Sequence, residues 1–270
     1  MSTFHHRFFI IGLLVIALGL AACREREVIV VLPTQIDIDA AATAAVLTRE
    51  APPSGFEIVS FPQIDANINN LDFYRAEVSL AFDGTFARTP RLASAATSAI
   101  ITVNSAQQAK RIESTFDNNL QEDTEPVQLD AVLLGEDTFV VRNGTCITNA
   151  DQAELATQLS ASAVLGGIQQ AEAFGQRATL NGEPVWLYRF DAEDLVLPNV
   201  TQIDNSRIVG LSGELWVSPT TNTVIRYYLN LDVENVTLFG EALPVTGSLL
   251  MRYDLYLHED SANISVPFGC

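Results

Sequence analysis

Long runs of strict alternation constrain this chain more than any other feature. In Thr223–Glu234, Ile225, Tyr227, Leu229, Leu231 and Val233 are separated one by one by Arg226, Tyr228, Asn230 and Asp232. A segment written this way can bury one face and wet the other only as a β-strand, whose side chains point to opposite sides at successive residues. Val245–Leu257 repeats the pattern, setting Val245, Leu249, Met251, Tyr253, Leu255 and Leu257 against Thr246, Ser248, Arg252 and Asp254. From Phe73 onward, Tyr74, Ala76, Val78, Leu80 and Phe82 alternate with Arg75, Glu77 and Ser79 before Asp83-Gly84. Asn143-Gly144 and Asn181-Gly182 each supply two residues that accept the positive φ angles of a tight hairpin, and Pro219-Thr220-Thr221-Asn222 marks a further turn. The pattern predicts antiparallel strands joined by hairpins.

One region reads as helical. Residues 149–174 offer Asn149 or Asp151 as a cap and Leu155, Leu159 and Ala163 spaced four apart, with a break at Gly166-Gly167. A second short helix follows through Ile168, Ala171 and Phe174, stopping at Gly175. Ala106–Phe116 fits either a helix or a strand. Eight or more twisted strands tend to curl. The expected fold class is therefore α+β: a strongly curved antiparallel sheet, a half-barrel, with a helical segment covering its dry concave face.

The N-terminus reads as an address. His5, His6 and Arg7 precede thirteen apolar residues, Phe8–Leu20, and small residues before Cys23, the order of a secretory signal. At about 1.5 Å per residue the run falls short of a hydrocarbon core of roughly 30 Å, so a spanning helix is not expected. Leu20-Ala21-Ala22-Cys23 resembles the bacterial lipobox, which implies a diacylglycerol on the Cys23 thiol and cleavage before it. Two or more acyl chains anchor stably where one would not. The expectation is a cell-envelope protein whose partner is a membrane, reached through acylated Cys23, on the outer face of the cytoplasmic membrane or another envelope membrane. The domains read as signal peptide 1–22, tether 23–60 and sheet domain 61–270. Within the tether, Val28–Leu32 is apolar enough to serve as an added strand.

With Cys23 committed to lipid, Cys146 and Cys270 remain, and an oxidising extracytoplasmic compartment reads them as one disulfide. The formal charge of −18, with one lysine in the chain and no basic run, disfavours nucleic acid and anionic headgroups. No protein partner can be named from the sequence.

Further residues carry a family resemblance. Asn181-Gly182-Glu183-Pro184-Val185-Trp186-Leu187-Tyr188-Arg189-Phe190-Asp191 is followed by Gly213-Glu214-Leu215-Trp216-Val217-Ser218-Pro219 and then Val224-Ile225-Arg226-Tyr227. Together with the lipobox and a mid-chain cysteine near a hairpin, this resembles the lipoprotein-carrier family, which includes the periplasmic lipoprotein chaperone and mycobacterial glycolipid-binding lipoproteins. The resemblance spans about residues 70–270. It implies a half-open barrel that encloses an apolar cavity for acyl chains, and it transfers no ligand-contacting motif.

Catalytic patterns are absent from the sequence. Past the signal, His258 stands as a single histidine beside Glu259-Asp260 and reads as a surface residue, and no Gly-x-Ser-x-Gly elbow occurs. No metal-ligand spacing, Ca²⁺ loop or phosphate-cradling loop is present, and Asp117–Glu125 reads as a solvated acidic loop. Neither enzyme chemistry, a cofactor nor a metal is expected. The leading expectation is a carrier of a lipid or other hydrophobic ligand, with candidate cavity residues Tyr74, Val78, Phe82, Trp186, Tyr188, Phe190, Ile225, Tyr227, Leu229, Met251, Tyr253 and Leu255. The alternative is a cell-surface scaffold or partner-binding domain in which the same residues make a filled core. Replacing Cys23 by serine is expected to abolish acyl labelling and move the protein to the soluble fraction; a C23S protein still held at the membrane by its N-terminus would contradict the anchor.

Overall fold

The computed structural model describes residues 48–121, 125–257 and 263–270. Cys23, the expected signal and lipobox-like segment, Val28–Leu32, His258 and part of the acidic stretch 117–125 lie outside the described residues. The alternating segments form strands β3 (Phe73–Phe86), β13 (Thr223–Leu238) and β14 (Val245–Tyr256). β3 buries every second residue from Tyr74 to Phe82, as its sequence requires. Pairing places Tyr227 opposite Tyr253 and Leu229 opposite Met251, and then Tyr253 opposite Val78 and Met251 opposite Leu80. The apolar rows of the three strands thus fall on one face.

The remaining strands are β1 (Thr48–Arg49), β2 (Ile58–Phe61), β4 (Leu92–Asn104), β5 (Ala109–Asn118), β6 (Val127–Leu134), β7 (Asp137–Arg142), β8 (Thr145–Cys146), β9 (Gly167–Leu180), β10 (Glu183–Arg189), β11 (Leu195–Val196) and β12 (Val200–Ser218). Among the described residues they form one 14-stranded sheet in the order β1-β9-β10-β12-β13-β14-β3-β4-β5-β6-β7-β8, with β2 and β11 also on β9. β1 and all of β2 but Phe61 fall within residues 23–60, and both strands pair on β9. Both Asn-Gly turns form as read, with φ of 48° and 77° at Asn143 and Gly144 and 51° and 86° at Asn181 and Gly182.

The sheet is open but strongly bent. Asn181 Nδ2 donates to the Leu255 carbonyl at 2.9 Å, although β14 lies three places along from β10. In a flat sheet three strand spacings are about 14 Å. Bending gathers residues of β2–β7, β9, β10 and β12–β14 into a single apolar cluster. Gly84 and Gly247 stand directly opposite each other on β3 and β14, where a Cβ on either would strike the facing backbone, at the Thr246 and Asp83 carbonyl oxygens respectively.

The expected α+β class with a covering helical segment is overturned, because the chain is nearly all-β. The described helices are α1 (Ala150–Thr157, 8 residues) and α2 (Ala161–Leu165, 5 residues), too short for a layer. α1 lies against β5–β7 and α2 against β3 and β14. Asn149 does cap α1, accepting from the Gln152 N–H at 3.1 Å, but Leu155 is 68% exposed instead of facing the core. The expected second helix is β9. Ile168 pairs with Phe61 and Ala171 with Val59, so three steps on β9 match two on β2. That bulge puts apolar residues three apart and imitates a helical period. Gly166 and Gly167 do more than break a helix: a Cβ on Gly166 would strike the Val196 carbonyl and one on Gly167 the Phe61 carbonyl. Much of the inner face is instead filled by Val59, Phe61, Ile64 and Ile68, from β2 and the segment after it. Ala106–Phe116 resolves as a short 3₁₀ turn, Ser105–Gln107, followed by β5.

Cys146 and Cys270 are disulfide-bonded across a sequence separation of 124. Cross-linking a loop that long restricts the unfolded chain, so a C146S/C270S variant is expected to lose about 4 kcal/mol in denaturant unfolding. Valine at Gly84 is expected to cost about 2 kcal/mol or more through the backbone collision. An unchanged unfolding midpoint in either variant would contradict the corresponding reading.

Candidate functional site

Eleven of the twelve candidate cavity residues are buried in the one apolar cluster: Tyr74, Val78, Phe82, Trp186, Tyr188, Ile225, Tyr227, Leu229, Met251, Tyr253 and Leu255. The twelfth, Phe190, is partly buried against it, its ring centroid 6.1 Å from that of Tyr227. The structure therefore brings all twelve into or against one cluster, and pairing through Leu215 sets Tyr188, Tyr227, Tyr253 and Val78 in a single row on the inner face. Hydrogen bonding divides their polar atoms. Tyr188 donates its hydroxyl to the Phe56 carbonyl at 2.7 Å. The hydroxyls of Tyr227 and Tyr253 and the indole nitrogen of Trp186 are buried with no hydrogen-bond partner. A buried polar atom left unpaired costs about 1–3 kcal/mol, and native interiors hold few of them. Two of these three belong to residues directly opposite each other on β13 and β14.

All six tyrosines are held above their usual ionisation range. Burial pushes Tyr74 and Tyr188 up to about 12, helped by the charges of Asp65 and Glu57 respectively. Burial alone raises Tyr227, and for Tyr253 burial is reinforced by Asp65, Tyr74 and Asp254. On the outer face Tyr228 is raised by burial and by donating to Asp254 at 2.6 Å, and the same carboxylate pairs with Arg226 at 2.7 Å.

At the rim of the inner face lies a pocket of about 230 Å³. Tyr74 and Ala76 of β3, Ile101 of β4 and Lys110 of β5 form one wall, and the Ser160–Ser162 entry to α2 and the Gln63–Asn69 segment form the other. The Lys110 ammonium donates to the Thr157 carbonyl at 2.9 Å and the Leu159 carbonyl at 3.1 Å. Burial lowers the Lys110 pKa and the nearby Asp65 charge opposes that shift. Asp65 accepts from the Ser162 N–H at 3.1 Å. Sequence reasoning missed this pocket, although a signal was present: Lys110 is the only lysine in the chain. It sat in a segment whose period was ambiguous, so its neighbours could not be placed.

Among the described residues no group of three or more His, Cys, Asp or Glu is arranged to hold a metal ion. No helix among them is long and apolar enough to cross a membrane. No protein-family model matches the sequence and no curated protein matches it. A crystal structure of a protein provisionally assigned as AttH from Nitrosomonas europaea is similar with a TM-score of 0.26 and 14% identity, over 79% of this chain. This chain spans 60% of that protein's length. A score at that level assigns neither fold nor function.

The tyrosine shifts give a pH prediction. Between the unfolded value near 10 and the raised folded values, the folded chain holds protons that the unfolded chain has lost, so stability falls as pH rises. Its tyrosine-linked part is fully present below pH 10 and is lost progressively toward about 12 and beyond, as Tyr74 and Tyr188 ionise. Phenolate absorbance is expected to develop late and together with unfolding; a reversible titration of most tyrosines near pH 10 in the folded protein would contradict it.

Proposed function

We propose that this chain is a non-catalytic, extracytoplasmic lipoprotein, held at a membrane by lipid on Cys23, that binds a lipid or other hydrophobic ligand on the inner face of its bent sheet. The observation that carries the reading is the pair of unpartnered hydroxyls on Tyr227 and Tyr253, joined by the Trp186 indole nitrogen, within an otherwise apolar cluster. Ligand sites combine a mainly apolar lining with a few convergent polar groups, which is the chemistry an amphipathic molecule needs. A ligand oxygen placed between the two tyrosines would satisfy donors that the protein itself leaves unmet. The N-terminal lipobox and the resemblance to lipoprotein carriers support the same reading.

A second reading rests on a specific observation as well. Tyr188, Ile225, Tyr227, Leu229, Tyr253 and Leu255 are each 0% exposed, as a filled core would have them. On that reading the protein is a surface scaffold or partner-binding domain.

The Y227F/Y253F double variant separates the two by sign. If the hydroxyls hold a ligand, the variant is expected to lose co-purifying lipid in mass spectrometry of gently purified protein, to take up a fluorescent fatty acid about tenfold less tightly, and to gain no stability. If they are unpaired in a filled core, their removal stabilises the fold by about 1–2 kcal/mol. That gain, with no lipid released by the parent protein, would overturn the carrier reading in favour of the scaffold.

A further inference from the structure

The rim pocket differs from the inner face in chemistry, because a cation and an anion share its lining. Its volume of about 230 Å³ is small. It equals the liquid volume of about eight water molecules, too little for an acyl chain and enough for a small polar molecule. Lys110, Asp65, Ser160, Ser162, Tyr74 and Asn69 are among the residues that line the pocket.

Lys110 and Asp65 face this space without closing on each other. Neither takes part in an ion pair among the described residues. An ammonium has three N–H donors, and the carbonyls of Thr157 and Leu159 take two of those on Lys110. One donor remains. The Asp65 carboxylate accepts the Ser162 N–H and keeps further lone pairs. A simple anion at Lys110 would meet the Asp65 charge, and a simple cation at Asp65 would meet Lys110. Only a ligand that carries both signs satisfies both walls in a partly desolvated space, where charge interactions are stronger than in water.

We infer that this pocket binds a small zwitterion, a molecule with an ammonium group and an anionic oxygen group on one short chain, the anionic group at Lys110 and the ammonium at Asp65. A free amino acid and the ethanolamine headgroup of a phospholipid share this chemistry. The pocket shares Tyr74 with the inner face, but Lys110 and Asp65 belong to the pocket alone, and its test does not depend on whether that face carries a lipid.

Because the chain has one lysine, ¹³C-lysine labelling of the protein as purified from its membrane gives a single lysine side-chain signal, that of Lys110. Glycine or O-phosphoethanolamine is expected to shift that signal saturably, whereas inorganic phosphate or ethanolamine alone is not. The D65N variant, whose amide oxygen can still accept the Ser162 N–H, is expected to keep the fold by circular dichroism and to bind either zwitterion about tenfold more weakly. Comparing nanodiscs of phosphatidylethanolamine with nanodiscs of phosphatidylglycerol identifies the source. A shift in the first alone assigns the headgroup, and a shift with free zwitterions but with neither nanodisc assigns a soluble ligand. Saturation by phosphate as strong as by O-phosphoethanolamine would overturn the inference in favour of an anion site. An unmoved signal with every probe would overturn it in favour of a lysine that only clamps the end of α1.

Discussion

The structure depends on the register of three neighbouring strands. β13, β14 and β3 are paired so that Tyr227, Tyr253 and Val78 lie in one row and Leu229, Met251 and Leu80 in the next. A slip of one residue at either junction would turn a whole apolar row to water, because side chains alternate with a period of two. The close approach of Gly84 and Gly247 at the far end of the β3–β14 pair admits no alternative residue, and the Asn181 bond to Leu255 ties the β9–β10 turn back onto β14. With the register fixed and the sheet bent, strands distant in the pairing order share one core.

That arrangement explains why so little helix is needed. A flat sheet of this width would require a second layer to cover its apolar face. Here the curl, β2 and the segment through Ile68 do most of the covering, and α1 and α2 plug limited areas beside β5–β7, β3 and β14. The disulfide fastens the last residue beside β7 and β8, at the end of the sheet farthest from β9.

Much of this was legible in the sequence where one physical rule acted alone. Alternation identified β3, β13 and β14, and the two Asn-Gly pairs marked turns with positive φ at both residues. Legibility failed where two rules produce the same pattern. The bulge opposite β2 spaced Ile168 and Ala171 like a helix, and Leu155, the first residue of the expected helical stripe, is exposed while Ala153 of α1 is buried. The rim pocket was beyond reach because Asp65, Lys110 and Ser162 are far apart in the chain and meet only once β5 and α2 are in place. Unpaired hydroxyls likewise belong to no sequence pattern: Tyr188 and Tyr227 read alike, yet only Tyr188 finds a carbonyl, that of Phe56.

The central claim is that the inner face, with its unpartnered Tyr227 and Tyr253 hydroxyls, is built to hold a ligand. The most direct measurement is a high-resolution crystal structure of protein purified from its own membrane without exchange into strong detergent. The account predicts elongated density on the inner face with an oxygen within hydrogen-bonding distance of both tyrosines. A tightly packed interior with both hydroxyls still unpaired, and no density beyond the protein, would contradict it.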